Sequence, residues 1–424
     1  MSRFDSRFRL ATLPLIALGF SAVAGGQGLA DRVAAASSGA VQFTFAARAG
    51  VCGNGRTYYS IDGNSFHGDL SGLASEQCAA GPVRVVLDVS DRTVVGLHTF
   101  VGPVSSEPGV TSIGSVGTAA ATDYLLSLAS SSEGRVGSEA LSAALLADSV
   151  ELSGRLLSIA KDDTRPLETR RSALSALTVS TPAQTGIITQ ALIAIARGEN
   201  EPQSLRQRAL SVLARLAHGE GVPALIQLTG AELPGWVGRE GLTVLARSGD
   251  PRARDYLRGV IQRTDLPEDV LAVAIRGFGQ QYVTARDAEL LRGLFPKLTG
   301  SASSEAVLNA LGELGGTDNV RFLLGIVHNE QLAMDTRRRA LQFLTRAGVS
   351  TAQLVALYDS TSDQSLRETL ISMYARLGEK ATTDKLIAIA RGDDSLALRR
   401  RAITSLSRNN DPAVRAALEG IVQR

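Results

Sequence analysis

One spacing constrains this chain more than any other property. Arg170-x-x-Ala173-Leu174, Arg206-x-x-Ala209-Leu210, Arg337-x-x-Ala340-Leu341 and Arg399-x-x-Ala402-Ile403 place an arginine, an alanine and an apolar residue in one register. Taking the last position as a marker, degenerate copies stand at 141, 242, 275, 308 and 370, and the nine markers are separated by 33, 36, 32, 33, 33, 33, 29 and 33 residues. A second apolar residue follows three positions later in most copies, as in Leu177, Leu213, Leu245, Phe278, Leu311, Leu344, Met373 and Leu406. Residues three apart share one side of a helix, so a single helical face recurs along most of the chain. A period of this length belongs to stacked repeats, each too small to bury its own apolar face.

A second helix repeats between the markers. Leu192 to Gly198 and Leu386 to Gly392 both read Leu-Ile-Ala-Ile-Ala-Arg-Gly, and Leu156-Leu157-Ser158-Ile159-Ala160-Lys161 begins a third version. Leu257-Arg258-Gly259-Val260-Ile261, Leu291-Arg292-Gly293-Leu294-Phe295, Leu324-Gly325-Ile326-Val327 and Leu418-Glu419-Gly420-Ile421-Val422 are related forms, so each unit is a helical hairpin. Only 4% of the residues are aromatic, which leaves the packing to small aliphatic side chains. Gly259, Gly293 and Gly420 are therefore expected to admit a neighbouring helix at close range.

Asp411-Pro412-Ala413-Val414-Arg415, Asp363-Gln364-Ser365-Leu366-Arg367 and Asp250-Pro251-Arg252-Ala253-Arg254 resemble the Asp-Pro-x-Val-Arg signature of HEAT and HEAT-like (PBS-lyase-type) repeats. The resemblance implies a mainly α chain: a right-handed α-solenoid of about nine helical hairpins over residues 119–424. In such a signature Asp caps a helix N-terminus, Pro fits the first turn, Val faces the core and Arg reaches back across the seam between repeats. The copies around 275 and 308 lack the Arg, and Gly235, Trp236 and Gly238 are expected to interrupt the helix leading to Leu242.

Residues 31–118 have a different character and read as a small β-rich domain. Val41, Phe43 and Phe45 alternate with Gln42 and Thr44, as on a strand with one buried side. Val83, Val85, Leu87 and Val89 alternate again, Ser90-Asp91-Arg92 turns the chain, and Thr93 to Val101 returns, which is a hairpin pattern. Gly53-Asn54-Gly55 reads as a turn. The only two cysteines, Cys52 and Cys78, lie here and are expected to form a disulfide that closes a loop over a thin core.

The N-terminus suggests the compartment. Arg3, Arg7 and Arg9 precede an apolar run from Leu10 to Ala24 that is short for a membrane span and contains Pro14 and Gly19. Residues 1–30 thus read as a secretory signal peptide, cleaved after Ala24 or after Ala30, and an oxidising, periplasmic or extracellular destination follows, the periplasm first. The formal net charge of +2 resides in the first 24 residues, so the remaining chain is nearly neutral and lacks the basic surface that nucleic acid requires.

Catalytic patterns are scarce. The four histidines, at 67, 98, 218 and 328, have no metal-ligand spacing, and neither a nucleophile elbow nor a phosphate-binding loop occurs. The expectation is a non-catalytic scaffold, with no cofactor and no metal, that binds another protein through the solenoid groove. Arg171, Arg208, Arg338 and Arg400, from the arginine clusters, and Trp236, the single tryptophan, are the candidate contact residues. Each arginine cluster also has a structural reading, with one guanidinium per unit bridging neighbouring turns and its flanking arginines solvating the helix. Two alternatives remain beside the scaffold. The β domain could carry a ligand or hydrolytic site around Gly53 to His67, or the arginine stripes could bind anionic lipid at a membrane surface; separately, the rival to the disulfide makes Cys52 a nucleophile beside His67.

Overall fold

The computed structural model describes residues 28–61, 65–68, 78–103, 108–132, 134–148, 150–179, 184–280, 284–393, 395–409 and 411–422. The proposed signal segment up to residue 27 lies outside the described residues. The chain divides into two compact units, one holding residues 1–152 and 164–172, the other residues 153–163 and 173–424.

The first unit opens with a short helix, α1 (Leu29–Ala34), followed by strands β1 (Gly39–Phe45), β2 (Val51–Gly53), β3 (Tyr58–Ile61), β4 (Ser65–Gly68), β5 (Val83–Ser90), β6 (Thr93–Val101) and β7 (Val110–Ser115). Helices α2 (Thr118–Ser131) and α3 (Gly134–Ala144) also belong to it, so this unit extends past the change from strands to helices near residue 118. One sheet has the order β6-β5-β1-β7 and a smaller one the order β2-β3-β4. The expected hairpin is present: β5 and β6 pair antiparallel, with Leu87 opposite Leu97, and Asp91 and Arg92 turn the chain with φ of 49° and 62°. β7 joins the other edge parallel to β1, a long-range pairing that no local pattern announces.

Val41, Phe43 and Phe45 are buried as their alternation requires, and Tyr124 of α2 meets Phe43 edge to face at 6.2 Å. The other side of β1 is covered as well. Gln42 is buried because Arg84, only 2% exposed on the neighbouring strand, donates to its Oε1 at 3.3 Å and to the Gly55 carbonyl at 3.0 Å, with its guanidinium over the Phe100 ring. The turn at Gly53-Asn54-Gly55 is organised by the Asn54 carboxamide oxygen, which accepts from the backbone N–H groups of Arg56, Thr57 and Tyr58. Its glycines are steric necessities: a Cβ at Gly53 or Gly55 would strike the backbone carbonyls of Val101 or Pro103. Cys52 and Cys78 are joined by a disulfide, with their Cα atoms 5.2 Å apart.

The remaining helices are α4 (Ser153–Lys161), α5 (Leu167–Ala176), α6 (Thr185–Arg197), α7 (Gln203–Leu213), α8 (Val222–Glu232), α9 (Trp236–Arg247), α10 (Pro251–Val260), α11 (Glu268–Gly279), α12 (Ala285–Leu294), α13 (Ser301–Leu314), α14 (Thr317–His328), α15 (Met334–Ala347), α16 (Thr351–Ser360), α17 (Gln364–Leu377), α18 (Lys380–Gly392), α19 (Leu396–Leu406) and α20 (Pro412–Val422). In the second unit, helices from α6 to α19 pack as hairpins, α6 with α7, α8 with α9, α10 with α11, α12 with α13, α14 with α15, α16 with α17 and α18 with α19, and many also pack on the helix two places along. The marker helices make one layer, α7 on α9, α9 on α11, α11 on α13, α13 on α15, α15 on α17 and α17 on α19; in the other layer α4 meets α6, α8 meets α10, α16 meets α18 and α18 meets α20. A contiguous apolar core runs from Leu242 to Val414 through the seams rather than around one centre. Neighbour-to-neighbour packing of this kind is what a repeat array requires.

The nine markers lie on α3, α5 and each odd-numbered helix to α19. Eight are buried, Ile403 is half-buried, and every apolar residue three positions on, from Leu177 to Leu406, is buried. Asp250, Asp363 and Asp411 cap α10, α17 and α20 by accepting from the backbone N–H groups of Arg252, Leu366 and Ala413, while Pro251 and Pro412 occupy first helical positions.

Two sequence expectations are corrected. Gly259, Gly293 and Gly420 do not admit a neighbouring helix, since a Cβ at any of them would meet open space. The close approaches occur on the marker helices, where a Cβ at Gly277 would come within 2.6 Å of the Ala246 Cβ and one at Gly279 within 2.5 Å of the Ala310 Cβ. Nor do Gly235, Trp236 and Gly238 interrupt a helix: Gly235 is the N-cap and Trp236 the first residue of α9, which continues unbroken to Arg247.

Candidate interaction surface

The arginines that repeat with the fold are mostly committed to it. Arg206 of α7 donates from Nε to the Ala196 carbonyl of α6 at 2.9 Å, and Arg337 of α15 donates to the Val327 carbonyl of α14 at 2.8 Å, ten residues back in both cases. Arg367 of α17 does the same to the Thr361 carbonyl behind α16 at 2.6 Å. The C-terminal carbonyls of a helix lack intrahelical partners, and a guanidinium satisfies them with charge of the favourable sign. These bonds close three hairpins on themselves, and two of these arginines also reach the next unit, Arg206 lying over the Trp236 ring and Arg367 standing 3.9 Å from Asp393.

Other arginines bridge successive repeats. Arg197 pairs with Glu232 at 2.7 Å, joining α6 to α8. Arg258 donates from Nε and Nη2 to Asp287 at 2.9 and 2.7 Å, joining α10 to α12, and Arg292 bonds Asn319, joining α12 to α14. In the marker layer Arg239 pairs with Asp269, Arg339 with Glu305, Arg346 with Glu313 and Arg401 with Glu368. Most of these pairs are exposed and each contributes about 0–1 kcal/mol, so they align the units more than they hold them.

Asp287 differs. It is 1% exposed, and its second oxygen accepts from the Thr284 backbone N–H and hydroxyl, both at 2.9 Å. Burial pushes its carboxyl up, yet the Thr284 N–H, the Arg258 guanidinium and the Thr284 hydroxyl together hold it below the usual carboxylate range. Tyr358 makes another buried junction: its hydroxyl donates to Asp393 at 2.7 Å, and burial together with that carboxylate keeps the phenol far above its ordinary value.

The five residues singled out from the sequence fall into separate settings. Arg171, in the first unit, is half-buried and pairs with Glu168 one turn back at 3.0 Å. Arg208 is half-buried on α7. Trp236 is half-buried, and the Arg206 guanidinium lies 4.5 Å over its ring, so one face of the indole is occupied from within. Arg338 reaches Asp335 only at 3.9 Å, and Arg400 is exposed on α19. The five stand on separate helices, α5, α7, α9, α15 and α19. The reading of Cys52 as a nucleophile is overturned, since its sulfur is bonded to Cys78, and His67 stacks on Tyr59 at 4.9 Å. Among the described residues no group of three metal-ligating side chains gathers, and no helix is long and apolar enough to cross a membrane.

Residues 189–279 match a family model described as HEAT repeats, so the chain carries HEAT repeats in its second unit. Among solved structures, the chain is similar to human deoxyhypusine hydroxylase in complex with glycerol, at 18% identity and a TM-score of 0.27, covering 57% of this chain and 98% of that one. It is also similar to the complex of CpcE and CpcF of phycocyanin lyase from Nostoc sp., at 16% identity and a TM-score of 0.27, covering 65% of this chain and 94% of that one. A comparison with curated proteins finds no match.

Proposed function

We propose that the chain is an exported, non-catalytic scaffold that binds another protein along the exposed faces of its repeat array. HEAT repeats in general mediate protein–protein interaction. The observation that carries the reading is the packing of each marker helix from α7 to α17 on the next marker helix, which sets exposed helix faces side by side while the seam arginines are matched internally. Arg338 and Arg400, on α15 and α19, are the arginines we assign to partner contact.

Export is supported by the basic and apolar N-terminal segment and by a disulfide, which persists in oxidising compartments such as the periplasm. The structure of α1 favours one of the two cleavage positions. Leu29 and Val33 are buried, and the Asp31 carboxylate accepts from the Gly28 N–H at 3.3 Å. Cleavage after Ala30 would remove Leu29 from this helix, whereas cleavage after Ala24 leaves it whole.

The test uses the tagged full-length chain in its own host. Fractionation should recover it outside the cytoplasm with an N-terminus at Gly25, and cross-linking should capture a protein whose yield drops at least fivefold in an Arg338→Glu/Arg400→Glu variant. An uncleaved cytoplasmic chain overturns the export reading. Capture indifferent to both charge reversals overturns the assigned surface, and salt-sensitive binding to anionic vesicles would favour a lipid surface instead.

A further inference from the structure

The residue two positions after the marker lines a seam between successive marker helices in the copies at 275, 308 and 341. It is Ala143, Ala176, Val212, Val244, Gly277, Ala310 and Phe343 in the first seven copies, then Ser372 and Ser405 in the last two. Three earlier seams, α9–α11, α11–α13 and α13–α15, are filled. Gly277 meets Ala246, Ala310 meets Gly279, and Phe343 lies against Gly312, where an added Cβ would approach the Phe343 Cβ to 2.9 Å. Serine is too small to repeat what Phe343 does, and between α17, α18 and α19 the structure holds a cavity of about 560 Å³.

Its polar lining is Ser372, Arg376, Thr383, Ser405, Arg408 and Asn409, and no carboxylate stands among the described lining residues. Arg376 and Arg408 are exposed, and among the described residues neither guanidinium has an ion pair or a side-chain hydrogen bond. This sets them apart from Arg206, Arg337 and Arg367, which cap helix carbonyls, and from Arg239, Arg339 and Arg346, which pair across seams. Arg401 brings a third guanidinium to the rim, donating to the Ser372 hydroxyl at 3.1 Å, with Glu368 at 3.7 Å as its own counter-ion. Two uncommitted guanidinium forks beside hydroxyl and amide donors match the planar, multi-acceptor geometry of an oxyanion.

We propose that this cavity is a binding site for an oxyanion group, a carboxylate or phosphoryl, held by Arg376 and Arg408 with Ser405 and Asn409 as neutral donors. The site is independent of the scaffold reading, because it rests on the local lining of one seam.

The test is calorimetric titration of the full chain at low salt with two probes, inorganic phosphate and a blocked tetraglutamate peptide. At least one should bind, and Arg376→Gln/Arg408→Gln should weaken it at least tenfold, while Arg286→Gln, on α12, leaves it unchanged. Ser405→Phe, which fills the seam without altering charge, should weaken it by a similar factor, with far-ultraviolet circular dichroism showing each variant folded. Binding of the peptide alone identifies an acidic protein segment as the source; binding of phosphate identifies a small oxyanion. The proposal is overturned if neither probe binds, or if the double variant binds as the wild type does.

Discussion

Replacing Asp287 by alanine should destabilise the junction of α10 and α12 more than loss of any exposed ion pair. The carboxylate is buried and holds Arg258 through one oxygen and the Thr284 cap through the other. Removing one partner of a buried ion pair costs about 3–5 kcal/mol. Arg258 is a third exposed and keeps Asp255 at 2.6 Å as a second partner, so the stranded charge is partly solvated and partly paired. The expected loss for Asp287→Ala is therefore about 2–3 kcal/mol, and for Asp287→Asn, which retains an acceptor for the Thr284 N–H, about 1 kcal/mol. Because a repeat array yields locally, urea unfolding should be accompanied by faster hydrogen exchange in residues 285–294.

The effect also has a pH signature. The folded carboxyl titrates below its ordinary value, so its contribution is fully present above the unfolded pKa of about 3.9 and disappears as pH falls through the lower folded value. The difference between wild type and Asp287→Ala should be constant near neutrality and shrink below about pH 4. A loss under about 0.5 kcal/mol at neutral pH, with exchange in α12 unchanged, would refute the claim that this carboxylate ties the two units.

Other consequences follow from the same geometry. Gly259→Ala should stabilise the chain by about 0.5–1 kcal/mol in urea unfolding, because the methyl enters open space and helix propensity improves. Gly241→Ala should destabilise it by about 1–3 kcal/mol, since its methyl would land on the buried Thr229 side chain. Phe278→Ala, at a fully buried marker-face position, should cost about 3–5 kcal/mol by the same assay. Replacing Cys52 and Cys78 by serine should remove about 3–4 kcal/mol from the first unit, as expected for a cross-link spanning 26 residues, and alkylation followed by mass spectrometry should find both thiols blocked until reduction.

Periodicity was enough to determine the repeated hairpins, the buried marker faces from Leu141 to Leu370 and the capping roles of Asp250, Asp363 and Asp411, because each depends on residues within a turn or two of one another. The Val83 to Val101 hairpin and the Cys52–Cys78 pair were legible for the same kind of reason, a local alternation in one case and the absence of any other cysteine in the other. The candidate contacts were less legible. A guanidinium on a helix looks alike in sequence whether it caps a neighbour, as Arg206 does, pairs across a seam, as Arg339 does, or stays uncommitted, as Arg376 does.

Tertiary structure alone decided those assignments. It also decided which glycines are crowded: Gly277 and Gly279 lie in a seam and Gly259 does not, a distinction set by the rotation of each helix about its axis rather than by residue type. The burial of Arg84, the parallel pairing of β7 with β1 and the unfilled seam beside Ser405 share this origin. Each is fixed by partners far away in the chain, and a local pattern carries the period of a helix but not the identity of what comes to lie against it.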